Sequence, residues 1–211
     1  MADSVPPPDT SPSEPRGDDV PARLPTALVT DPAMIAHQVP SGFPEVPARL
    51  EFATAMIEAL LANGTLSSER VLRPPARAAT EGELAAVHAP SYIARIRHAV
   101  ERLVAQHGPD AKPGYFASDV YISPGTYTAA LLAAGAPLVA LDAIGAGAAR
   151  NGYALVRPPG HHARPAEAMG FCFFNNVAVA ARYAQRRWGW SKVLIVDYDV
   201  HHGNGTQDMF Y

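Results

Sequence analysis

Apolar side chains recur every three or four residues in several segments of this chain, a spacing typical of helices that bury one face. The predicted helices span about residues 47–63, 91–106, 126 into the 140s, and 176–188. A further helix start is indicated at Thr80, because Glu83 follows three residues later in the capping-box arrangement. The pattern therefore predicts a chain rich in amphipathic helices.

Two continuous apolar runs in the second half of the chain have the length of strands. One run is residues 153–156 and the other is residues 193–196, with the helix predicted at 176–188 between them. Apolar runs without alternation are typical of parallel strands covered on both faces. A strand, a helix and a second strand joined by a long crossover form a βαβ unit, so we predict an α/β fold with a parallel sheet.

Composition divides the chain into a tail and one domain. Residues 1–25 carry seven prolines among small polar and acidic residues. Few large apolar side chains are available there to offset the entropy lost on ordering, which predicts a disordered tail. Residues 26–211 have the composition of a single globular domain.

Charge and cysteine content narrow the classes of function. The net charge of -3 gives no basic surface for nucleic acid, and the single Cys172 rules out a disulfide within the chain. The apolar stretch 129–149 consists mostly of alanine and glycine and includes Asp142 and Pro137, so we predict a packed helix and no membrane partner. No secretory signal is visible, which predicts a cytoplasmic protein. The sequence leaves its oligomeric state open.

Acidic and imidazole side chains follow the second predicted strand. Asp197, Asp199 and His201 alternate, so an extended backbone would point all three to one side. Neighbouring carboxylates repel unless a proton or a cation lies between them, and oxygen and nitrogen ligands without a thiolate suit a catalytic Zn²⁺. The alternative interpretation is an ordinary strand end with solvated polar groups.

The first predicted strand also leads into histidines. His161 and His162 follow the turn-rich residues 157–160, and neutral imidazoles are natural general bases near neutral pH. The alternative is a pair of surface-loop histidines. Because functional groups gather beyond the carboxyl ends of parallel strands, we expect both loops to meet at one edge of the sheet.

Three motifs, in this order, resemble the class II branch of the histone deacetylases, and the acetylpolyamine amidohydrolases share much of them. They are Arg157-Pro158-Pro159-Gly160-His161-His162, Gly170-Phe171-Cys172-Phe173-Phe174-Asn175-Asn176, and Asp197-Tyr198-Asp199-Val200-His201-His202-Gly203-Asn204-Gly205-Thr206-Gln207. The similarity covers about residues 26–211. It implies a three-layer α/β/α fold with a parallel sheet, arginase- and deacetylase-like, here incomplete at the C-terminus.

The resemblance also implies a role for each matching residue. Asp199 and His201 would ligate zinc, and His161 and His162 would handle protons. Asp197 would hold His161 and help bind a structural K⁺, and Asn204 would be the partner of His162. The substrate would be bound by Asp119, Gly170 and Phe171. Simpler interpretations remain open for some of these residues. Phe171 suits the core, and Asp119 suits a solvated loop. Cys172 suits a small buried apolar position better than a nucleophile.

The sequence departs from the family in two places. Phe43-Pro44-Glu45 stands where many relatives have His-Pro-Glu. In the family, the third zinc ligand and the residue that polarises the substrate carbonyl come well after the histidine-rich loop, and this sequence ends at Tyr211.

The implied function is zinc-dependent hydrolysis of an acyl amide, with an N-acetyl-lysine peptide or protein as the expected substrate. One alternative is an inactive truncated fragment or pseudoenzyme without catalysis. Another is a deacetylase of acetylated polyamines or other small acetylated amines.

Overall fold

The computed structural model describes residues 24–211. The predicted tail lies outside the described residues, except for Leu24 and Pro25.

Helices and strands follow one another along the chain in mixed order. The strands are β1 (Thr26–Val29), β2 (Val71–Leu72), β3 (Gly114–Ala117), β4 (Val120–Ile122) and β5 (Asn151–Ala154). The helices are α1 (Ala48–Ala62), α2 (Glu81–Leu84), α3 (Pro90–His107), α4 (Thr126–Gly145), α5 (Asn176–Trp188) and α6 (Asn204–Phe210), with 3₁₀ turns at Pro32–Ala36 and Ser68–Arg70. The predicted helices are confirmed, and the capping box of Thr80 and Glu83 is formed.

A parallel sheet is present, as the predicted α/β fold requires, and consists of three strands in the order β2-β1-β5, of which only β5 was predicted. All pairing in it is parallel, and the register of β1 against β5 runs from Thr26 opposite Asn151 to Val29 opposite Ala154. Strands β3 and β4 form a separate antiparallel hairpin. The sheet places the residues after β5 at the edge where β1 also ends.

The alanine-rich helix α4 packs against β1, β5 and α5. Small side chains allow this close approach: a Cβ added at Gly152 of β5 would lie 2.6 Å from the Cβ of Ala140 in α4. The helix is long and apolar enough to cross a membrane by length and composition alone, but half of its most apolar window is buried inside this structure. Its apolar composition is therefore explained by packing in the core.

Helix α3 packs on a second apolar cluster. Its buried side chains Ile93 and Ile96 meet Phe173 and Phe174, which follow the Gly170 turn. The hydroxyl of Tyr92 donates a hydrogen bond to the carbonyl oxygen of Phe173 at 2.6 Å. This cluster anchors the loop that carries the Gly170 motif.

Two strand predictions need correction. Strand β5 begins and ends two residues earlier than predicted, because parallel pairing with β1 sets its register. The predicted strand at residues 193–196 does not form: the segment lies near Gly152 and Ala154, with a cavity of about 320 Å³ between them. Apolar character favours burial, but a strand also needs a neighbour within hydrogen-bonding distance, and this segment has none among the described residues.

Candidate active site

Two loops bring four polar side chains together, one loop after β5 and the other after residues 193–196. His161 Nδ1 lies 2.9 Å from Asp197 Oδ2, and His162 Nδ1 lies 2.6 Å from Asn204 Oδ1. The rings of His161 and His162 are 4.0 Å apart between centroids. The structure therefore brings together the tandem histidines and the partners expected for them.

Hydrogen-bond partners decide which ring nitrogen of each histidine carries a proton. The Asn204 amide donates from Nδ2 to the sulfur of Met169, which leaves Oδ1 to accept from His162 Nδ1. The carboxylate of Asp197 likewise accepts from His161 Nδ1. In both neutral rings the lone pair then resides on Nε2, the atom able to accept a proton.

The partners of the two histidines differ in charge. A carboxylate stabilises an imidazolium by charge attraction, whereas a neutral amide fixes ring orientation without adding charge. Desolvation is the largest influence on Asp197 and raises its pKa, but hydrogen bonds from His161 and from the Asp199 amide outweigh it and leave that pKa below its ordinary value. Asp197 is therefore ionised beside His161 at neutral pH.

Asp199 and His201 lie side by side at the exposed edge of this cluster. Asp199 Oδ1 is 3.1 Å from His201 Nδ1, and the side chains are 49% and 73% exposed. The pKa of Asp199 is lowered, chiefly by the hydrogen bond that its carboxylate accepts from the His201 amide. The His201 ring is 5.9 Å from that of His162 between centroids.

The backbone that carries these groups is not the predicted extended strand. Asp197 accepts a hydrogen bond from the Asp199 amide at 3.1 Å, and Asp199 accepts one from the His201 amide at 2.8 Å. Each carboxylate thus closes a tight turn over the next two residues. The turns still place the Asp199 and His201 side chains together.

The Gly170 turn packs directly against His162. Gly170 and Phe171 both have positive φ, at +56° and +67°. A Cβ added at Gly170 would lie 2.1 Å from His162 Cδ2, so only glycine permits this contact. Asp119, also at positive φ, accepts a hydrogen bond from the Gly170 amide at 3.0 Å. The three predicted substrate-binding residues therefore lie together at this turn, with Gly170 in contact with His162.

Arg157 and Glu45 form a buried pair that the sequence pattern did not predict. Both side chains are buried, and all five N–H groups of Arg157 are used: three bind Glu45, one the Met34 carbonyl and one the His37 carbonyl. These bonds fasten the loop of residues 37–46 to the start of the Arg157–His162 loop. An arginine directly before Pro-Pro-Gly and a glutamate in a Pro-Glu pair were the available signals.

A second buried network positions the same loops from behind. His88 Nε2 accepts a hydrogen bond from the Asn175 amide at 2.9 Å, so its Nδ1 carries the proton and donates to the Arg164 carbonyl at 3.1 Å. The Asn175 side chain caps helix α5 and donates to Thr206 Oγ1 at 3.1 Å. Burial lowers the pKa of His88 to about 4, which keeps it neutral.

Three other titratable groups are either buried or engaged by partners within the protein. Cys172 is fully buried, and desolvation raises the pKa of its thiol to about 12, consistent with the apolar interpretation. Asp208 pairs with Arg164, and Asp142 accepts hydrogen bonds from Tyr183 and Trp188. Within residues 24–211 no group of three His, Cys, Asp or Glu side chains is placed to hold a metal ion.

Comparison with known proteins agrees with this arrangement of fold and site. The histone deacetylase domain family matches residues 43–211. The chain is 44% identical over 186 residues to human polyamine deacetylase HDAC10, covering 88% of this chain and 27% of that protein. It is 41% identical over 185 residues to a histone deacetylase-like amidohydrolase of Pseudomonas aeruginosa, covering 87% of this chain and 43% of that protein.

A solved structure shows the same architecture. The crystal structure of the HDA15 HD domain superposes with a TM-score of 0.76 at 42% identity, over 89% of this chain and 50% of that one. The parallel sheet with packed helices and the histidine–carboxylate loops thus define an α/β protein of the arginase/deacetylase fold. The chain belongs to the histone deacetylase family.

The match covers only part of the relatives. The chain spans about a quarter to two fifths of the curated relatives described above, and half of the solved domain.

Proposed function

We propose that this chain carries the proton-transfer half of a zinc-dependent amide hydrolase that removes acetyl groups from amines. The observation that supports the proposal most directly is the pair of oriented histidines. His161 is bound to an ionised carboxylate and His162 to a neutral amide, with a candidate metal-binding pair beside them. The family relationship adds amide deacetylation as the class of reaction.

The residues present fit two positions of a zinc site. Ligand atoms about 2.1 Å from a tetrahedral Zn²⁺ are roughly 3.4 Å apart, close to the observed separation of Asp199 Oδ1 and His201 Nδ1. Carboxylate and imidazole are also suitable donors for a catalytic site. Within residues 24–211 no third His, Cys, Asp or Glu side chain is placed to hold a metal ion with this pair. When bound, zinc supplies a Lewis acid that polarises a carbonyl and acidifies water.

The chain's own residues then move the proton. His162, held by Asn204, accepts a proton at Nε2 from the attacking water and returns it to the leaving amine. His161, held by Asp197, supplies a second imidazole 4.0 Å away, between ring centroids. The Asp197 carboxylate with nearby backbone oxygens is also our proposed site for a structural K⁺.

The substrate we propose is an acetylated amine. Its acyl chain would run along Gly170 and Phe171, which would line the channel next to His162, and Asp119 would hold the remainder of the substrate. A lysine side chain in a peptide and an acetylated polyamine both satisfy this description, and human HDAC10 is named as a polyamine deacetylase. We further propose a cytoplasmic protein that uses neither nucleic acid nor membrane as a partner.

Zinc affinity tests the metal site directly. Because only two protein ligands are described, we expect the polypeptide 1–211 to bind Zn²⁺ weakly in a calorimetric titration. The substitution Asp199→Ala or His201→Ala should abolish this binding. His202→Ala is the matched control, because this neighbouring exposed histidine bonds to Gln207 instead. Equal zinc binding by all three variants would place the metal elsewhere.

Turnover tests the reaction. With only two described ligands, we expect the polypeptide 1–211 alone to show no deacetylase activity. For a form of the protein that also supplies a third zinc ligand we expect hydroxamate-sensitive release of acetate from an acetyl-lysine peptide or an acetylated polyamine. There, His162→Ala should reduce the rate by about 10²-fold or more, the usual effect of losing a general base. An unchanged rate in that variant would assign proton transfer to another group.

A further inference from the structure

A row of four aromatic rings leads away from the Gly170 turn. The ring centroids are 4.8 Å apart for Phe171 and Phe43, 5.2 Å for Phe43 and Tyr121, and 6.2 Å for Tyr121 and Tyr115. All three contacts are edge-to-face. Phe171 adjoins Gly170 beside His162, whereas Tyr115 is 70% exposed at the outer end. We call Phe171, Phe43, Tyr121 and Tyr115 the aromatic row.

The row is built from three separate parts of the chain. Tyr115 and Tyr121 lie opposite each other in the β3–β4 hairpin, so their side chains share one face of it. Phe43 comes from the loop that Arg157 and Glu45 fasten in place. Phe116 points to the other face, where it packs near Phe173 in the core. Core packing therefore accounts for Phe116 and leaves the two tyrosines unexplained.

Charge at the row favours a cationic ligand. Asp119 lies in the turn of the same hairpin, is exposed, and is held by the Gly170 amide. The faces of aromatic rings also attract cations, because their electron distribution is negative there. The nearby Arg95 lies over Phe116 and Tyr92, on the side of the hairpin away from the row.

We propose that the aromatic row binds the positively charged alkylammonium segment of the substrate, beyond the acyl amide. The identity of the acyl end rests on the function proposed above. Phe43 then acts as a specificity-determining residue, since it joins the hairpin tyrosines to Phe171. An acetylated diamine or polyamine has the required chemistry, with a flexible alkyl chain and a distal ammonium group.

The test compares two ligands that differ in charge but not in length. N-acetylcadaverine carries a distal ammonium group, and N-hexylacetamide is its neutral counterpart, with a methyl group in place of the ammonium. Binding to the polypeptide 1–211 is measured by ligand-observed saturation-transfer NMR without added zinc. We expect the cationic ligand to bind more tightly. Tyr115→Leu or Tyr121→Leu should weaken its binding by roughly 2- to 5-fold and leave the neutral ligand unchanged.

Three further variants sharpen the comparison. Tyr115→Phe keeps the ring and should keep the preference for the cation. Tyr153→Leu removes an exposed tyrosine on β5, outside the row, and should change neither affinity. Asp119→Asn should reduce the preference and its dependence on salt concentration. Circular dichroism of each variant establishes that it is folded.

Two results would overturn the proposal: equal or absent binding of both ligands, or a preference for the cation that survives both leucine substitutions. Neither result depends on hydrolysis. If hydroxamate-sensitive turnover is absent but the cationic ligand is still preferred, the proposed function is wrong and the proposal for the aromatic row is retained. If turnover is found but the preference for the cationic ligand is absent, only the proposal for the aromatic row is wrong.

Discussion

Single side chains and single glycines determine the local geometry of this site. Asn204 and Asp197 each orient one histidine, and the absence of a side chain at Gly170 allows the turn to touch His162. His88 acts similarly from inside the core, where the Asn175 amide donates to Nε2 and so requires the neutral ring, while Nδ1 donates to the Arg164 carbonyl. Two predictions belong to this scale.

Gly170→Ala should destabilise the protein more than an alanine at another glycine of similar backbone conformation. Gly189 is the matched control, because its φ is +68° and an added Cβ would meet nothing within 4 Å. Left-handed backbone costs a non-glycine residue about 1–2 kcal/mol, so Gly189→Ala should lose only that. Gly170→Ala adds a collision with His162, and urea unfolding should show the larger loss. Equal losses would mean that the turn relaxes away from His162.

His88 should make stability depend on pH. Its pKa is lowered from 6.5 to about 4 by burial, so between these pH values the unfolded chain binds a proton that the folded chain does not bind. The contribution is fully present above pH 6.5 and is lost as pH falls towards 4, by about 3 kcal/mol in all. His88→Gln should flatten this part of the profile in urea unfolding. The exposed His98, changed to Gln, should leave it as steep as in the parent protein.

At the scale of elements, loops are held by buried polar contacts from distant parts of the chain. The loop of residues 37–46 has no regular structure of its own, yet it is fixed through Glu45 to Arg157. Burial raises the pKa of Glu45, and the hydrogen bond and charge of Arg157 oppose that shift. Residue 43 is thereby placed beside Phe171.

Arg157→Met should be strongly destabilising, because it leaves the Glu45 carboxylate buried without its partner. Loss of one member of a buried pair typically costs about 3–5 kcal/mol. The double variant Glu45→Gln with Arg157→Met should recover part of that loss, as measured by a double-mutant cycle in urea. Arg49→Ala is the control: this mostly exposed arginine is 4.0 Å from Glu45 and should contribute no more than about 1 kcal/mol. Strict additivity of the two changes would show that the pair is not coupled.

On the scale of the whole molecule, one surface differs from the rest. Residues 193–200 expose several large apolar side chains near the candidate metal pair, among them Leu194 at 86% and Val196 at 72%. Exposed contiguous apolar surface promotes association. The described part of the chain therefore combines a well-packed core around α4 with an exposed apolar surface beside the loops of the candidate site.

The purified polypeptide 1–211 should be poorly soluble and should bind a hydrophobic dye such as ANS. The double variant Leu194→Lys with Val196→Lys should reduce both effects without lowering the unfolding midpoint, because both side chains are mainly exposed. Light scattering and dye fluorescence measure the outcome. Val179→Lys is the contrasting control, since Val179 is buried and a charge there should unfold the chain. Undiminished light scattering by the double variant would show that another surface causes the association.

The sequence by itself determined the helices, the α/β fold class and the identity of the residues that meet beside strand β5, but among the three strands of the sheet it indicated only β5. Helical periodicity and the capping box are local properties, and the histidine and aspartate motifs are contiguous, so neither required knowledge of distant contacts. His161 with Asp197, and His162 with Asn204, were expected partners and lie within hydrogen-bonding distance.

Only the tertiary structure decided the remaining features. Whether residues 193–196 form a strand depends on a neighbouring strand, which an apolar run cannot specify. The turns at Asp197 and Asp199 replace the extended backbone because side-chain carboxylates compete for local amides. The Arg157–Glu45 pair and the aromatic row join residues far apart in sequence, and contacts of that kind are set by the packing of the whole chain.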